Sequence, residues 1–145
     1  MKGYKINIVG SSDQELDAIE MIRKQAFHLK PTGENHYKKH IREGKMIPFS
    51  MEKEDGEMIG GCYLGEYRNS IYVYFLFLKP EYQKSGLQLG RKLLLEVLKH
   101  KKEIEEILHQ SFDTSSLHPS CDKVKEVYES IGYKEESYGY YIKKI

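Results

Sequence analysis

The chain has 145 residues, 39% of them hydrophobic and 31% charged, with a formal net charge of +1. That balance describes a single globular domain over residues 1–145 rather than a disordered chain. A near-neutral charge excludes the basic footprint of a nucleic-acid binder, and no apolar run approaches the roughly 20 residues of a membrane-spanning helix. The amino terminus, MKGYKINIVG, has no apolar signal core. Cys62 and Cys121, far apart in sequence, make no disulfide framework. Both are expected as free thiols in a reducing cytoplasm.

Residues 4–10 (YKINIVG) alternate apolar and polar, as a half-buried strand does. SSDQELDAIEMIRKQAF opens with a Ser/Asp cap signal and Glu15, then sets Leu16, Ile19, Ile22 or Arg23, and Ala26 at helical spacing. KPTGE (30–34) breaks that helix. NHYKKHIREGK (35–45) reads as a short polar surface helix ended by Gly44. His36 and His40 lie at i, i+4 there, but no third ligand is placed by spacing, so no metal is expected. Residues 46–78 read as three strands, with Asp55-Gly56 as a hairpin signal and Arg68-Asn69-Ser70 as a second turn. Gly60-Gly61 inside a strand predicts a bulge or a close backbone approach. Strand 71–78 is apolar and aromatic throughout, as in a strand covered on both faces. A loop at 83–90 leads into a helix running to about Lys101, with Leu87, Leu94, Leu95 and Leu98 on one side. EEILHQSFD (105–113) is read as a strand, parallel to 71–78 because a helix links the two. CDKVKEVYESIG (121–132) is a helix with Val124, Val127, Tyr128 and Ile131 at core spacing. Residues 138–142 close the chain as a strand. The order β-α-α-β-β-β-α-β-α-β defines an α/β domain on a mixed sheet.

The strand-to-helix junction YFLFLKPEYQKSGLQLGRKLLLEVL has the chemistry of an anion site. A helix starting near Leu87 exposes backbone N–H groups with no intrahelical partner, and its dipole adds partial positive charge. Glycine lets a phosphate approach the backbone closely. Lys84 and Arg91 add formal charge, with Lys79 nearby. The segment lacks the Lys-Ser/Thr of a P-loop and the G-x-G-x-x-G of a dinucleotide fold. On loop chemistry alone, a pyrophosphate cradle and an empty tight turn are both open.

Two segments carry a family resemblance. FLFLKPEYQKSGLQLGRKLL resembles the signature of the GNAT superfamily of N-acetyltransferases, in which a central strand is followed by (Gln/Arg)-x-x-Gly-x-(Gly/Ala) and a helix. Gln83 and Gly86 match. Gln88 stands where the family prefers glycine or alanine, and Gly90 takes that place if the loop carries two extra residues. CDKVKEVYESIGY resembles the family's later helix, Asn-x-x-Ala-x-x-(Leu/Phe)-Tyr-x-x-x-Gly-(Phe/Tyr). Tyr128, Gly132 and Tyr133 match it, and Cys121 replaces the asparagine that often assists the cofactor.

The resemblance implies a GNAT-like mixed, mostly antiparallel sheet with a parallel central strand pair and flanking helices. It implies an acyltransferase of the EC 2.3.1 class that carries acetyl from acetyl-CoA to a primary amine of a small molecule or peptide, by direct attack in a ternary complex. The pantetheine would lie between strands 71–78 and 106–112, beside the backbone of Phe77, Leu78 and Lys79. Gln83, Lys84, Ser85, Gly86, Leu87, Gln88, Gly90 and Arg91 would hold the pyrophosphate. Tyr128 would be the general acid, since a phenol with a pKa of about 10 is protonated at neutral pH. The base is open among Glu66, Asp113, His118 and an amine that arrives neutral, because strand 71–78 holds no acid. Cys121 with His118 is the other nucleophilic pairing in the sequence. Tyr72 and Tyr74, on one face of the central strand, and Phe27 and His28, at the end of the first helix, would line the acceptor pocket. The departures at Gln88 and Cys121 and the missing strand acid leave a second reading, a non-catalytic acyl-CoA-binding or sensing domain. Homodimers are common in the family, and no interface is legible here.

Overall fold

The computed structural model describes residues 3–83, 88–120 and 122–145. Seven strands within them form one sheet: β1 (Tyr4–Ile8), β2 (Met46–Lys53), β3 (Met58–Tyr67), β4 (Ser70–Leu78), β5 (Thr114–Leu117), β6 (Lys134–Ser137) and β7 (Tyr140–Lys144). Their spatial order is β1-β2-β3-β4-β5-β7-β6. Every neighbouring pair is antiparallel except β4–β5, so the mixed, mostly antiparallel sheet with one parallel pair is as expected. The helices are α1 (Asp13–Ala26), α2 (Lys38–Arg42), α3 (Pro80–Gln83), α4 (Gln88–Leu98), α5 (Lys101–Leu108) and α6 (Asp122–Ser130). Among the described residues no helix is long and apolar enough to cross a membrane.

Local chemistry fixes the ends of these elements. Ser12 caps α1 by accepting from the Glu15 N–H at 3.2 Å. The Glu15 carboxylate reaches back to the Gly10 N–H at 3.1 Å, a reciprocal arrangement that satisfies two otherwise orphaned donors. The β3–β4 loop is Arg68-Asn69, with φ of 51° and 60°, the pair of positive angles that suits strand twist in a two-residue hairpin.

Three readings from the sequence need correction. The segment 105–113 is not a strand. Its first residues belong to α5, which buries Ile104 completely, and the Gln110 N–H donates to the Glu105 carbonyl at 3.1 Å after His109 turns left-handed. Ile104, Ile107 and Leu108 carry the helical period, and a window opening at 105 omits the first of them. The parallel strand is instead β5, at 114–117. The helix expected to run to Lys101 breaks after Leu98 and restarts as α5. The closing strand is a hairpin, β6–β7, turning at Tyr138 and Gly139 with φ of 39° and 79°.

The sheet has a core on each face. On one, Ile19, Ile22 and Ala26 of α1 pack on Met46, Tyr63 and Phe77. On the other, Leu93, Leu94, Val97, Ile104 and Tyr128 pack on Cys62, Leu64, Val73 and Leu78. Gly60 and Gly61 show the close approach expected of them. A Cβ on Gly61 would lie 2.5 Å from the Phe49 carbonyl oxygen and 2.7 Å from Ile19 Cδ1. Gly61→Ala is therefore expected to destabilise the protein by about 1–3 kcal/mol, as overpacking does. An unchanged urea midpoint would contradict this account of how α1 seats on the sheet.

Candidate active site

The sheet is parted where its two parallel strands meet. β4 and β5 pair only at Ile71 with Ser115 and Tyr72 with Ser116, yet β4 continues to Leu78. β5 itself is only four residues long, and an irregularity lies on the other side of β4. Tyr63 pairs with Phe75 and Leu64 with Val73, so Tyr74 is an extra residue, a bulge that bends the strand. Beyond it one edge of β4 has no strand partner among the described residues. The Lys79 N–H donates to the Ile59 carbonyl at 2.8 Å, within the sheet. By alternation, Phe77 also turns its backbone toward β3, and Leu76 and Leu78 turn theirs toward the gap. The Leu78 carbonyl accepts from Gln83 Nε2 at 2.9 Å, and the same amide lies 3.4 Å from the Ala26 carbonyl. Gln83 thus ties α3 to β4 and α1. The backbone groups left facing the gap are those of Leu76 and the N–H of Leu78.

At the open end of the gap stands the first turn of α4. Lys84, Ser85, Gly86, Leu87 and Cys121 lie outside the described residues. Gln88 is exposed and opens the helix. A Cβ on Gly90 would meet nothing nearer than Leu76 Cδ2 at 4.0 Å, so packing alone does not require glycine there. Arg91 has a buried Nε with no hydrogen-bond partner among the described residues. Lys79 is engaged, its Nζ 3.4 Å from Glu57 Oε2. An orphaned guanidinium N–H beside a helix start fits an anionic ligand such as the pyrophosphate of an acyl-CoA.

On the α1 face of β4, rings gather around His118. Tyr72 Oη lies 2.6 Å from His118 Nδ1. The Tyr72 ring meets Tyr74 edge-on at 4.7 Å and Tyr67 at 5.1 Å, and His118 lies 5.2 Å from Tyr140. Gly65 makes room for Tyr74, whose ring would be 2.6 Å from a Cβ there. Arg68 stacks over Tyr67 and Tyr140. Burial, reinforced by the neighbouring phenols, raises Tyr72 above an ordinary phenol, and burial with the Glu66 charge does the same for Tyr74. Both stay protonated donors near neutrality. The Tyr140 hydroxyl and Ser116 Oγ are buried with no partner among the described residues. Tyr67, Arg68, Ser116 and Tyr140 are members of this cluster that sequence reasoning missed. Only the Tyr-Gly turn at 138–139 could have signalled the hairpin that delivers Tyr140.

The remaining candidates are spread out. Phe27, 44% exposed, leans on Phe75 and Phe77 at 6.1 and 6.4 Å, so it does reach the central strand. His28 is exposed and left-handed, with a φ of 56°. Glu66 uses its carboxylate to accept from the Asn69 N–H at 2.8 Å in the β3–β4 turn. Asp113 precedes β5, at the opposite end of that strand from His118. Tyr128 sits in the core on the other face of the sheet, 8% exposed, with its ring edge-on to Tyr133 at 5.9 Å. The Tyr133 hydroxyl in turn lies 2.8 Å from Ser115 Oγ. Cys62 is fully buried, and burial pushes its thiol far above the ordinary range, which makes it inert. Among the described residues no group of three His, Cys, Asp or Glu side chains is placed to hold a metal.

Beneath Phe75 lies a buried ion pair. Arg23 Nε contacts Glu20 Oε1 at 2.7 Å and Nη2 contacts Oε2 at 3.1 Å. Tyr63 donates to Glu20 at 3.0 Å, and the guanidinium stacks on Phe75 and Tyr37.

The chain is thus an α/β protein whose sheet is parted at its parallel pair, with a helix start at the mouth. Structural comparison places it more narrowly. The ribosomal-protein-S18-alanine N-acetyltransferase of Escherichia coli is 19% identical over 98% of this chain and 94% of its own, with a TM-score of 0.64. The spermidine N-acetyltransferase of Vibrio cholerae, solved with CoA and spermine, is 19% identical over 99% and 94%, at 0.66. A GNAT-family acetyltransferase from Staphylococcus aureus Mu50 is 20% identical over 97% and 99%, at 0.62. No family model and no curated protein matches the sequence. The chain has the GNAT fold.

The ion pair under the site generates a test. Arg23→Ala leaves the Glu20 charge buried and unpaired, and is expected to cost about 3–5 kcal/mol. Glu20→Leu combined with Arg23→Met is expected to cost less than the single change. Guanidinium denaturation of the three proteins decides, and a double variant weaker than Arg23→Ala would refute it.

Proposed function

We propose that the chain is a GNAT-type N-acetyltransferase that moves an acetyl group from acetyl-CoA to a primary amine of a small molecule or peptide, with both substrates bound at once. One observation carries the reading: β4 is released from β5 after Tyr72, which leaves an amide edge open beside the start of α4. An extended amide-bearing arm docks on such an edge as an added strand does, with the Leu78 N–H and the backbone of Leu76 as its partners. Residues 84–90 and Arg91 cradle the pyrophosphate. The CoA complex of the Vibrio cholerae neighbour supports the same occupant. Acetyl-CoA supplies the activated acetyl group.

The chain's own groups do the rest. The Leu78 N–H is placed to polarise a carbonyl lying in the gap. Tyr128, from the opposite face of the sheet to Tyr72, delivers a proton to the departing sulfur. Phe27, Tyr72 and Tyr74 line the acceptor side. A formal net charge of +1 and two cysteines far apart in sequence fit a cytoplasmic enzyme.

Calorimetry with acetyl-CoA and a CoA-release assay over an amine panel test the proposal. Binding without turnover across the panel would favour an acyl-CoA sensor, and no binding would overturn both. Tyr128→Phe is expected to lower kcat by about 100-fold, the scale of a lost general acid, while acetyl-CoA affinity holds within about threefold. Arg91→Met is expected to show the opposite split, weakening acetyl-CoA binding by about tenfold, the scale of a lost charged hydrogen bond. The ratio of the two effects in each variant is the measurement that matters.

A further inference from the structure

The hydrogen bond between Tyr72 and His118 has no evident structural need. Both side chains are at least partly exposed, where water would satisfy either one. Yet the two approach to 2.6 Å, and they do so at one particular place. Tyr72 is the last residue of β4 that β5 pairs with, opposite Ser116, and His118 follows directly after β5 ends. The pair therefore stands at the apex of the gap. An arm whose phosphates sit at α4, beside the far end of β4, runs along the open edge toward this apex and brings its thioester there. Tyr72 faces the α1 side, the side that Phe27 and Tyr74 leave accessible to an acceptor.

We propose that Tyr72 and His118 form a proton relay that deprotonates the acceptor amine, an inference that rests on the acetyltransferase reading above. Tyr72 is the catalytic residue and His118 acts through it. Burial holds the phenol in its protonated form, so Tyr72 donates to Nδ1, and the proton of a neutral His118 resides on Nε2. The ammonium form of the acceptor gives one proton to Tyr72 Oη as the phenol's own proton passes to Nδ1. The freed nitrogen lone pair forms the new C–N bond. The C–S bond breaks with its electron pair leaving on sulfur, which takes a proton from Tyr128. The new amide nitrogen sheds its second proton to solvent, and solvent reprotonates Tyr128. His118 then releases its proton through Tyr72. In sum, one ammonium and one acetyl-CoA give one amide, one CoA thiol and one proton.

The other acids of the region are poorly placed for this step. The Glu66 carboxylate is held by the Asn69 N–H. Asp113 lies five residues before His118, about 16 Å away along an extended strand. The groups facing the pair are the phenols of Tyr67 and Tyr74, the Tyr140 phenol on β7, and the Arg68 guanidinium.

The test compares wild type, Tyr72→Phe and His118→Gln in kcat/KM against pH, with acetyl-CoA affinity and melting temperature measured alongside. Wild-type kcat/KM is expected to fall as pH drops, because the relay must be free to accept a proton. Both variants are expected to lose about 100-fold near pH 7, to keep acetyl-CoA affinity within about twofold, and to recover activity as pH approaches the pKa of the acceptor amine. That recovery is the signature a packing defect does not produce. A Tyr72→Phe protein with wild-type rate and profile, or a loss equal at every pH, would overturn the relay alone. A wild type that binds acetyl-CoA but releases no CoA with any amine would overturn the relay together with the acetyltransferase reading.

Discussion

The site depends on one irregularity, the extra residue at Tyr74. A strand paired on both edges has no backbone groups to spare, and β4 is spared that state: it bulges against β3 at Tyr74, and its other neighbour, β5, is only four residues long. The bulge bends β4 just past Tyr72, where its two-residue pairing with the short strand β5 ends. Everything used for binding follows from that release: the open backbone of Leu76 and Leu78, the apex where Tyr72 and His118 meet, and the mouth at α4. Gly65 is part of the same constraint, because the bulged Tyr74 ring occupies the space its side chain would need.

The two faces of the sheet take different tasks. The larger core on the α4–α6 side carries Tyr128 and the helix start proposed to meet the pyrophosphate. The smaller core on the α1 side is topped by aromatic rings and stiffened by the Glu20–Arg23 pair, whose guanidinium lies against Phe75 at 4.6 Å from the ring centroid. Fixing Phe75 from below matters because it is the first residue after the bulge that re-enters pairing with β3. A buried charge pair is a poor source of stability compared with an apolar replacement. Its value here is orientation, since Arg23 makes two hydrogen bonds to a Glu20 carboxylate that Tyr63 holds in place with a third.

Much of this was legible in the residues. The capping signal at Ser12–Glu15, the Asp55-Gly56 turn and the close approach at Gly60-Gly61 depend on local chemistry, and local chemistry is what a sequence records. The bulge was not legible, because Tyr74 differs in no way from the aromatic residues beside it; only the register against β3 marks it. The position of β5 was misjudged for a related reason. TSSL at 114–117 is short and polar in composition, and its burial comes from β4 and β7, both distant in sequence. The ring cluster needed three separate segments to converge, so Tyr72 and His118 were visible singly and their contact was not.

The protein contains no tryptophan and 12 tyrosines, and Tyr67, Tyr72, Tyr74 and Tyr140 of these crowd around a single imidazole. Its near-ultraviolet emission is therefore a signal of phenols alone, and a phenol hydrogen-bonded to an imidazole is quenched when it loses its proton in the excited state. The cluster makes the proposed acceptor side its own optical reporter. A ligand that touched the Tyr72 or Tyr74 ring would change the light the native chain emits, with no label attached.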